Sequence, residues 1–148
     1  MKTTLILFLA AGGITLSACS KWLPSKEAPA LVHNTLMARF PYATEVDWEQ
    51  KAGLFQAEFN QGEQNQAVLI DESGKIQMIR QEISLAELPP AVLEKIKKSY
   101  PAYQVDDLEQ VENGSRLYYQ VELEKGLQEK KLVLSPEGIV PAGQAYWD

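Results

Sequence analysis

Two residues able to act as nucleophile or base occur once each in this sequence, Cys19 and His33. A nucleophile needs a base within hydrogen-bond reach and usually a third group to orient that base. A zinc site needs several nitrogen or sulfur ligands. One histidine and one cysteine meet neither requirement, and His33 in "PALVHNTLMARF" reads as a helix residue packed against its neighbours. Carboxylates are the other reservoir: Glu45, Asp47 and Glu49 in one stretch, Asp106, Asp107 and Glu109 in another. Several oxygens together attract hard cations. These acids instead alternate with Val46, Trp48 and Leu108, the pattern of a solvated strand face, and no loop carries a calcium-binding spacing. No glycine-rich phosphate loop is present, since Gly12-Gly13 sits in an apolar stretch. Asn113-Gly114-Ser115 fits a glycosylation sequon, but Asn-Gly is first of all a hairpin turn. No catalytic residue, metal or cofactor is therefore assigned.

Cys19 has a different chemistry available. Lys2 precedes a short apolar run, Leu5 to Ile14, and then Leu16-Ser17-Ala18-Cys19. The run is about half of the roughly 20 residues a bilayer span needs, so residues 1–18 read as a secretory signal. The tetrapeptide resembles the lipobox of bacterial lipoproteins, where the cysteine thiol accepts diacylglycerol and becomes the new amino terminus. Small residues at 17 and 18 suit a peptidase pocket, and a lone cysteine has no disulfide partner. Acyl burial at about 0.8 kcal/mol per CH₂ makes several chains, palmitate among them, a stable anchor. The expected partner of Cys19 is thus a membrane, and the expected location the bacterial cell envelope, on the periplasmic face of the outer membrane.

The formal net charge of −6 disfavours nucleic acid and other polyanions as partners. Residues 19–28, "CSKWLPSKEA", are polar and broken by proline, as a tether from lipid to domain would be.

From Pro29 the chain carries helical and then strand periodicity, and does so twice. Val32, Leu36 and Phe40 share a helix face that Pro41 ends; sixty residues on, Val92, Ile96 and Tyr100 share one that Pro101 ends. Alternation with a period of two follows each helix, in Val46/Trp48 and Phe55/Ala57/Phe59, then in Leu108 and Leu117/Tyr119/Val121/Leu123. Beyond the first hairpin the offset becomes 64, so that Gln56 and Glu58 match Gln120 and Glu122, and Gly74 matches Gly138. Four residues have entered near a hairpin turn, where insertions are tolerated. Each copy, 29–83 and 84–148, reads as α-β-β-β-β, the last strand of the second being the short "IV". The fold class is α+β: a continuous antiparallel sheet, both helices on one side, and a broad solvated face opposite.

"LPPAVLEKIKKSYP", "YYQVEL" and "KLVLSPEGIV", with "PALVHNTLMARFP", "FQAEF" and "AVLIDESGKI" in the first copy, resemble the PepSY-like, beta-lactamase-inhibitor-like tandem domains of bacterial envelope proteins. The resemblance spans residues 29 to about 141. It implies a curved sheet whose concave face binds another protein. The inhibitors of that group brace their loops with disulfides, which a single cysteine cannot supply.

Trp48, Phe55, Phe59 and Tyr119 fall at inward strand positions and read as core. Tyr118, on the other strand face, and Tyr146-Trp147 read as contact residues, because Tyr and Trp anchor interfaces. Gln56, Glu58, Tyr118, Gln120, Glu122 and Trp147 together form the candidate partner-binding set. The expected function is a lipid-anchored envelope protein whose open sheet face recognises a protein or peptide. The alternative is an accessory lipoprotein of envelope assembly or sensing with no discrete ligand. An enzyme is the reading least supported.

Overall fold

The computed structural model describes residues 27–148. The export segment, Cys19 and most of the expected tether lie outside the described residues. Among the described residues no helix is long and apolar enough to cross a membrane.

Helix α1 spans Ala30–Arg39 and buries Val32 and Leu36; α2 spans Pro90–Ser99 and buries Val92 and Ile96. Each begins after a proline, and each closes when an aromatic residue donates its N–H to the buried residue four positions back, Phe40 to Leu36 and Tyr100 to Ile96. Pro41 and Pro101 follow, where the helical ladder cannot continue. Between β-sheet and α2, the Glu87 carboxylate accepts hydrogen bonds from the Ser84 N–H and hydroxyl, fixing a 3₁₀ turn, Leu85–Glu87.

Seven strands follow the chain in strict order through one antiparallel sheet. They are β1 (Thr44–Lys51), β2 (Leu54–Gln61), β3 (Gln64–Asp71), β4 (Ile76–Glu82), β5 (Gln104–Asn113), β6 (Arg116–Lys125) and β7 (Gln128–Leu134). Register shows that the helices share a face. Val68 packs with α1 and pairs with Ile79, Ile79 with Glu112, and Glu112 with Leu117, which packs with α2. Under α1 lie Phe55, Ala57, Phe59, Val68 and Ile70; under α2 lie Leu108, Tyr119, Val121, Leu123 and Leu134. Phe55, Phe59 and Tyr119 are core as expected. Trp48 is half-buried, its ring 6.4 Å from that of His33, which is itself exposed on α1.

Strands β1 and β5 each carry an irregularity near their start, between Thr44 and Asp47 and between Val105 and Asp107. The four additional residues lengthen strands rather than the loop: β5 and β6 have ten residues each, β1 and β2 eight. The turn between them is centred on Gly114-Ser115, with Asn113 already paired to Arg116.

The second copy departs from the expected α-β-β-β-β. Its turn forms, Gly138 N–H donating to Ser135 and Ser135 N–H to Ile139, as Gly74 does to Asp71 and Asp71 to Lys75. No strand follows. Ile139 and Val140 stay exposed and Pro141 has no N–H to donate, so the ladder stops where β4 continued in the first copy. Strand β7 is left as a sheet edge bearing Lys130 and Lys131, charges that discourage edge pairing.

Gly138 couples that turn to α2. At φ +74° a Cβ there would stand 2.7 Å from the Ala91 carbonyl oxygen in the first turn of the helix. Gly126, at φ +60°, has open space around the same atom. Gly126→Ala should cost about 1 kcal/mol from backbone conformation alone, and Gly138→Ala at least about 2 kcal/mol because the contact adds to it. Urea unfolding of the two variants checks this; equal losses would show that the turn does not press on α2.

Candidate functional site

The strand positions that alternate with the core point away from the helices: Gln56 and Glu58 on β2, Ala67 and Leu69 on β3, Met78 and Arg80 on β4, then Glu109, Val111, Tyr118, Gln120, Glu122, Lys131 and Val133. This face is not the broad solvated surface expected of it. Ala67, Leu69, Val111, Tyr118 and Val133 form a third apolar cluster, and Trp147 completes it, with Tyr146, Leu54 and Met78 at its border. The segment after β7 has crossed the sheet edge and lies on the second face. Apolar strand positions on a face without helices need a cover, and residues 144–148 supply it.

Trp147 is held by four hydrogen bonds. Its indole N–H donates to Gln56 Oε1 at 3.1 Å, and its backbone N–H donates to Gln120 Oε1 at 2.8 Å. Its carbonyl oxygen accepts from Gln120 Nε2 at 3.0 Å and from Arg80 Nη1 at 2.6 Å. The Arg80 guanidinium also stands 5.1 Å from the indole ring centroid. Both glutamines are closed to solvent, Gln56 at 2% and Gln120 at 1% exposure, and Trp147 is at 9%. An indole and a backbone amide buried without acceptors would each cost the desolvation of a polar group, so the two glutamines make the burial of this tryptophan possible.

Arg80 is held in turn by the sheet. Its Nε lies 3.1 Å from Glu109 and its Nη2 3.6 Å from Glu58. Gln56 Nε2 donates to Glu58 at 2.7 Å and Gln120 Nε2 to Glu109 at 2.9 Å, closing a network on both sides of the arginine. At the outer end Lys131 pairs with Asp148 at 2.6 Å and sits 4.9 Å from the Tyr146 ring, with Glu122 at 3.8 Å. The Asp148 hydrogen bond raises Lys131 and holds Asp148 below the ordinary carboxylate range. Desolvation pushes Glu109 up to about 7, opposed by Arg80 and reinforced by Asp107 and Glu122. Desolvation first, and then Glu129, raise Glu122 as well.

The hold on the segment is modest in sum. A tryptophan side chain of roughly 200 Å² contributes about 5 kcal/mol at ~25 cal/mol per Å². Four hydrogen bonds add about 4 kcal/mol. Ordering five residues costs about 5–8 kcal/mol in backbone entropy. The segment stays down by a few kcal/mol. Outside the contacts at Tyr146, Trp147 and Asp148 it is loosely fastened: Ala142, Gly143 and Ala145 are exposed, and its backbone joins no strand ladder.

All six candidate partner-binding residues are thus on the second face and form one neighbourhood, but Gln56, Tyr118, Gln120 and Trp147 are buried by contact with this same chain. Glu58 is exposed and Glu122 half-buried. The acidic stretches divide: Asp47 and Glu49 are solvated, whereas the Glu109 side chain is only 12% exposed. Glu45 accepts a hydrogen bond from Asn60 Nδ2 at 2.7 Å. Among the described residues no three His, Cys, Asp or Glu side chains converge as metal ligands do. Arg80 and Glu109, the centre of the network, are the residues the sequence reading missed. Arg80 is the one cation in "IQMIRQE" and shares the parity of Met78, opposite Ala67, which was the available signal.

A single antiparallel sheet with two helices on one face and an aromatic-anchored polar network on the other defines an α+β module. The chain belongs to the PepSY-like family, whose model, described as "Putative beta-lactamase-inhibitor-like, PepSY-like", matches residues 53–141. A crystal structure of a "putative periplasmic" protein from Bacteroides eggerthii superposes with a TM-score of 0.73 at 20% identity, covering 78% of this chain and 86% of that one. A DUF2874 family protein from Bacteroides ovatus gives 0.69 at 23% identity, covering 78% and 85%. A BLIP-like protein from Bacteroides fragilis gives 0.64 at 25% identity, covering 86% and 95%. Among curated proteins none matches the chain.

The raised Glu109 makes stability depend on pH. Its folded pKa of about 7 lies above the 4.5 of an unfolded glutamate, so the folded state binds the extra proton between those values. Stability is therefore fullest below about pH 4.5 with respect to this group and is lost as pH rises through about 7. At ~1.4 kcal/mol per tenfold in proton affinity, the loss over the whole range is on the order of 3 kcal/mol. Urea unfolding between about pH 5 and 8 should show it, and Glu109→Gln should flatten most of the slope.

Proposed function

We propose that this protein is a lipid-anchored binding module of the bacterial cell envelope, tethered through Cys19, whose second sheet face recognises a protein or peptide segment. The observation that carries the reading is the network on that face: Gln56, Arg80 and Gln120 present buried donors and acceptors to a group that is not part of the sheet. Interiors rarely spend polar groups this way, because apolar residues of similar volume would pack at least as well. Interfaces do, since polar groups at the centre of an aromatic-anchored patch fix orientation and partner choice. Family membership supports a protein-contacting surface, and the relative described as periplasmic supports the compartment. A second reading, an accessory lipoprotein without a discrete ligand, draws on the burial of Trp147: a face filled by its own chain has no need of another.

Two experiments test the reading. Fractionation should find the wild-type chain with membranes and Cys19→Ala released into the soluble fraction; a Cys19→Ala chain that stays with the membrane sinks the anchor. For the partner, a photo-crosslinking amino acid at Glu58, an exposed position beside the network, should capture one reproducible envelope protein in native cells. The same probe at Lys97 on α2 should not. Equal capture from both positions, or none from Glu58, would favour the accessory reading.

A further inference from the structure

We infer that the second face is a receptor for an extended peptide carrying a tryptophan followed by an acidic residue, and that residues 144–148 are its built-in competitor. The inference deepens the binding-module reading and rests on it for the partner, not for the chemistry of the site.

The recognition elements can be read off their present occupant. Gln56 Oε1 takes an indole N–H, which phenylalanine and tyrosine rings do not offer. Gln120 takes and gives one hydrogen bond each to the backbone of the same residue, the pairing an extended peptide offers at any position. Arg80 takes that residue's carbonyl oxygen while its guanidinium faces the indole ring. One position further, Lys131 takes a carboxylate at 2.6 Å. The floor is apolar: Ala67, Leu69, Val111, Tyr118 and Val133. These contacts together specify a side chain, a backbone direction and a following charge.

The same contacts show that the occupant can leave without dismantling the site. Every hydrogen-bond partner of Trp147 belongs to β2, β4 or β6, and those strands are fixed by ladder bonds and by the α-helical face, not by residues 144–148. Arg80 keeps Glu109 and Glu58, and each glutamine keeps a glutamate. The segment itself has no ladder bond to lose. A foreign segment of the same chemistry would meet a preformed surface and would have to outcompete only a tethered one.

The test uses the full chain and a synthetic hexapeptide, Gly-Gln-Ala-Tyr-Trp-Asp, labelled at its amino end. Fluorescence anisotropy should show it binding the Trp147→Ala chain at least tenfold more tightly than the native chain, because the native site is occupied. Replacing the peptide's tryptophan by phenylalanine, or adding Gln56→Leu to the Trp147→Ala chain, should each weaken binding several-fold. Equal binding to the two chains, or no binding to either, overturns the inference. Should Trp147→Ala fold poorly, the native chain supplies an independent readout: excess peptide should move the Trp147 indole N–H resonance, assigned by its absence in Trp147→Phe, to a solvent-exposed position. An unmoved resonance at saturating peptide overturns the inference too. Crosslinking from Glu58 separates the two ideas. Peptide binding without envelope capture leaves the receptor standing and the partner reading fallen; capture without peptide binding does the reverse. Trp147→Ala should also raise capture from Glu58 if the segment competes with the natural partner.

Discussion

A single antiparallel sheet with both helices on one side has a second face, and how that face is disposed of sets everything distinctive about this protein. Strand alternation forces half the side chains of β2 to β7 outward. Were all of them charged, the sheet would need no cover. Here the face carries Ala67, Leu69, Val111 and Val133, too apolar to leave wet, interspersed with Gln56, Arg80, Glu109 and Gln120, too polar to bury unpartnered. The cover has to be apolar and hydrogen-bonding at once. Tryptophan is one of the few side chains that are both, and Trp147 meets each requirement with a different part of itself.

The internal correspondence of the sequence gives this solution its symmetry. Gln56 and Gln120 occupy matched positions at the offset of 64, each hydrogen-bonded to a carboxylate on the same face. One receives the indole and the other the backbone of a single residue, so the two halves grip their occupant from opposite sides. Arg80 has no such counterpart. It lies on β4, the strand the second half does not make, and its place at the junction lets it neutralise Glu58 from one half and Glu109 from the other. Loss of the final strand has a second effect. The chain that would have formed it, released after Gly138, is free to cross the edge of β7 and reach the face.

Much of this architecture was legible in the sequence because it is periodic. The stripes Val32/Leu36/Phe40 and Val92/Ile96/Tyr100, the prolines after them and the alternating strands all leave local marks, and helices and strands lie where those marks put them. The fourth strand of the second half misled because Ile139-Val140 has strand composition; what decides is Pro141 and the shortness of the run. The covered face was legible in its parts and not in its arrangement. Gln56, Tyr118, Gln120 and Trp147 could be chosen by type and strand parity, yet contacts joining residue 147 to residues 56, 80 and 120 have no periodic signature. Glu109 looked like the other acids of its strand because burial from across the sheet does not show in a neighbour's identity.

The arrangement of charges bears on whether the face is a core or a receptor. A core built for stability alone would tie its polar groups to the piece that covers them, so that losing the cover left them unpaired and costly. Here the ion pairs of Arg80 run within the sheet, to Glu109 and Glu58, with the glutamines bound to the same carboxylates, and only Lys131 is paired to the cover, at Asp148. Removing Trp147 would leave each glutamine with a partner and Arg80 with two, and would expose to water only an apolar floor and a few hydrogen-bonding atoms. A surface that keeps its geometry when emptied has the preorganisation recognition requires, since less ordering remains to be done when a new segment arrives. The acidic surroundings act in the same sense. Asp107 and Glu122 beside Glu109 repel a bare carboxylate, and Lys131 alone at the outer end accepts one, so a segment can lie across the face in one direction with its charge at that end.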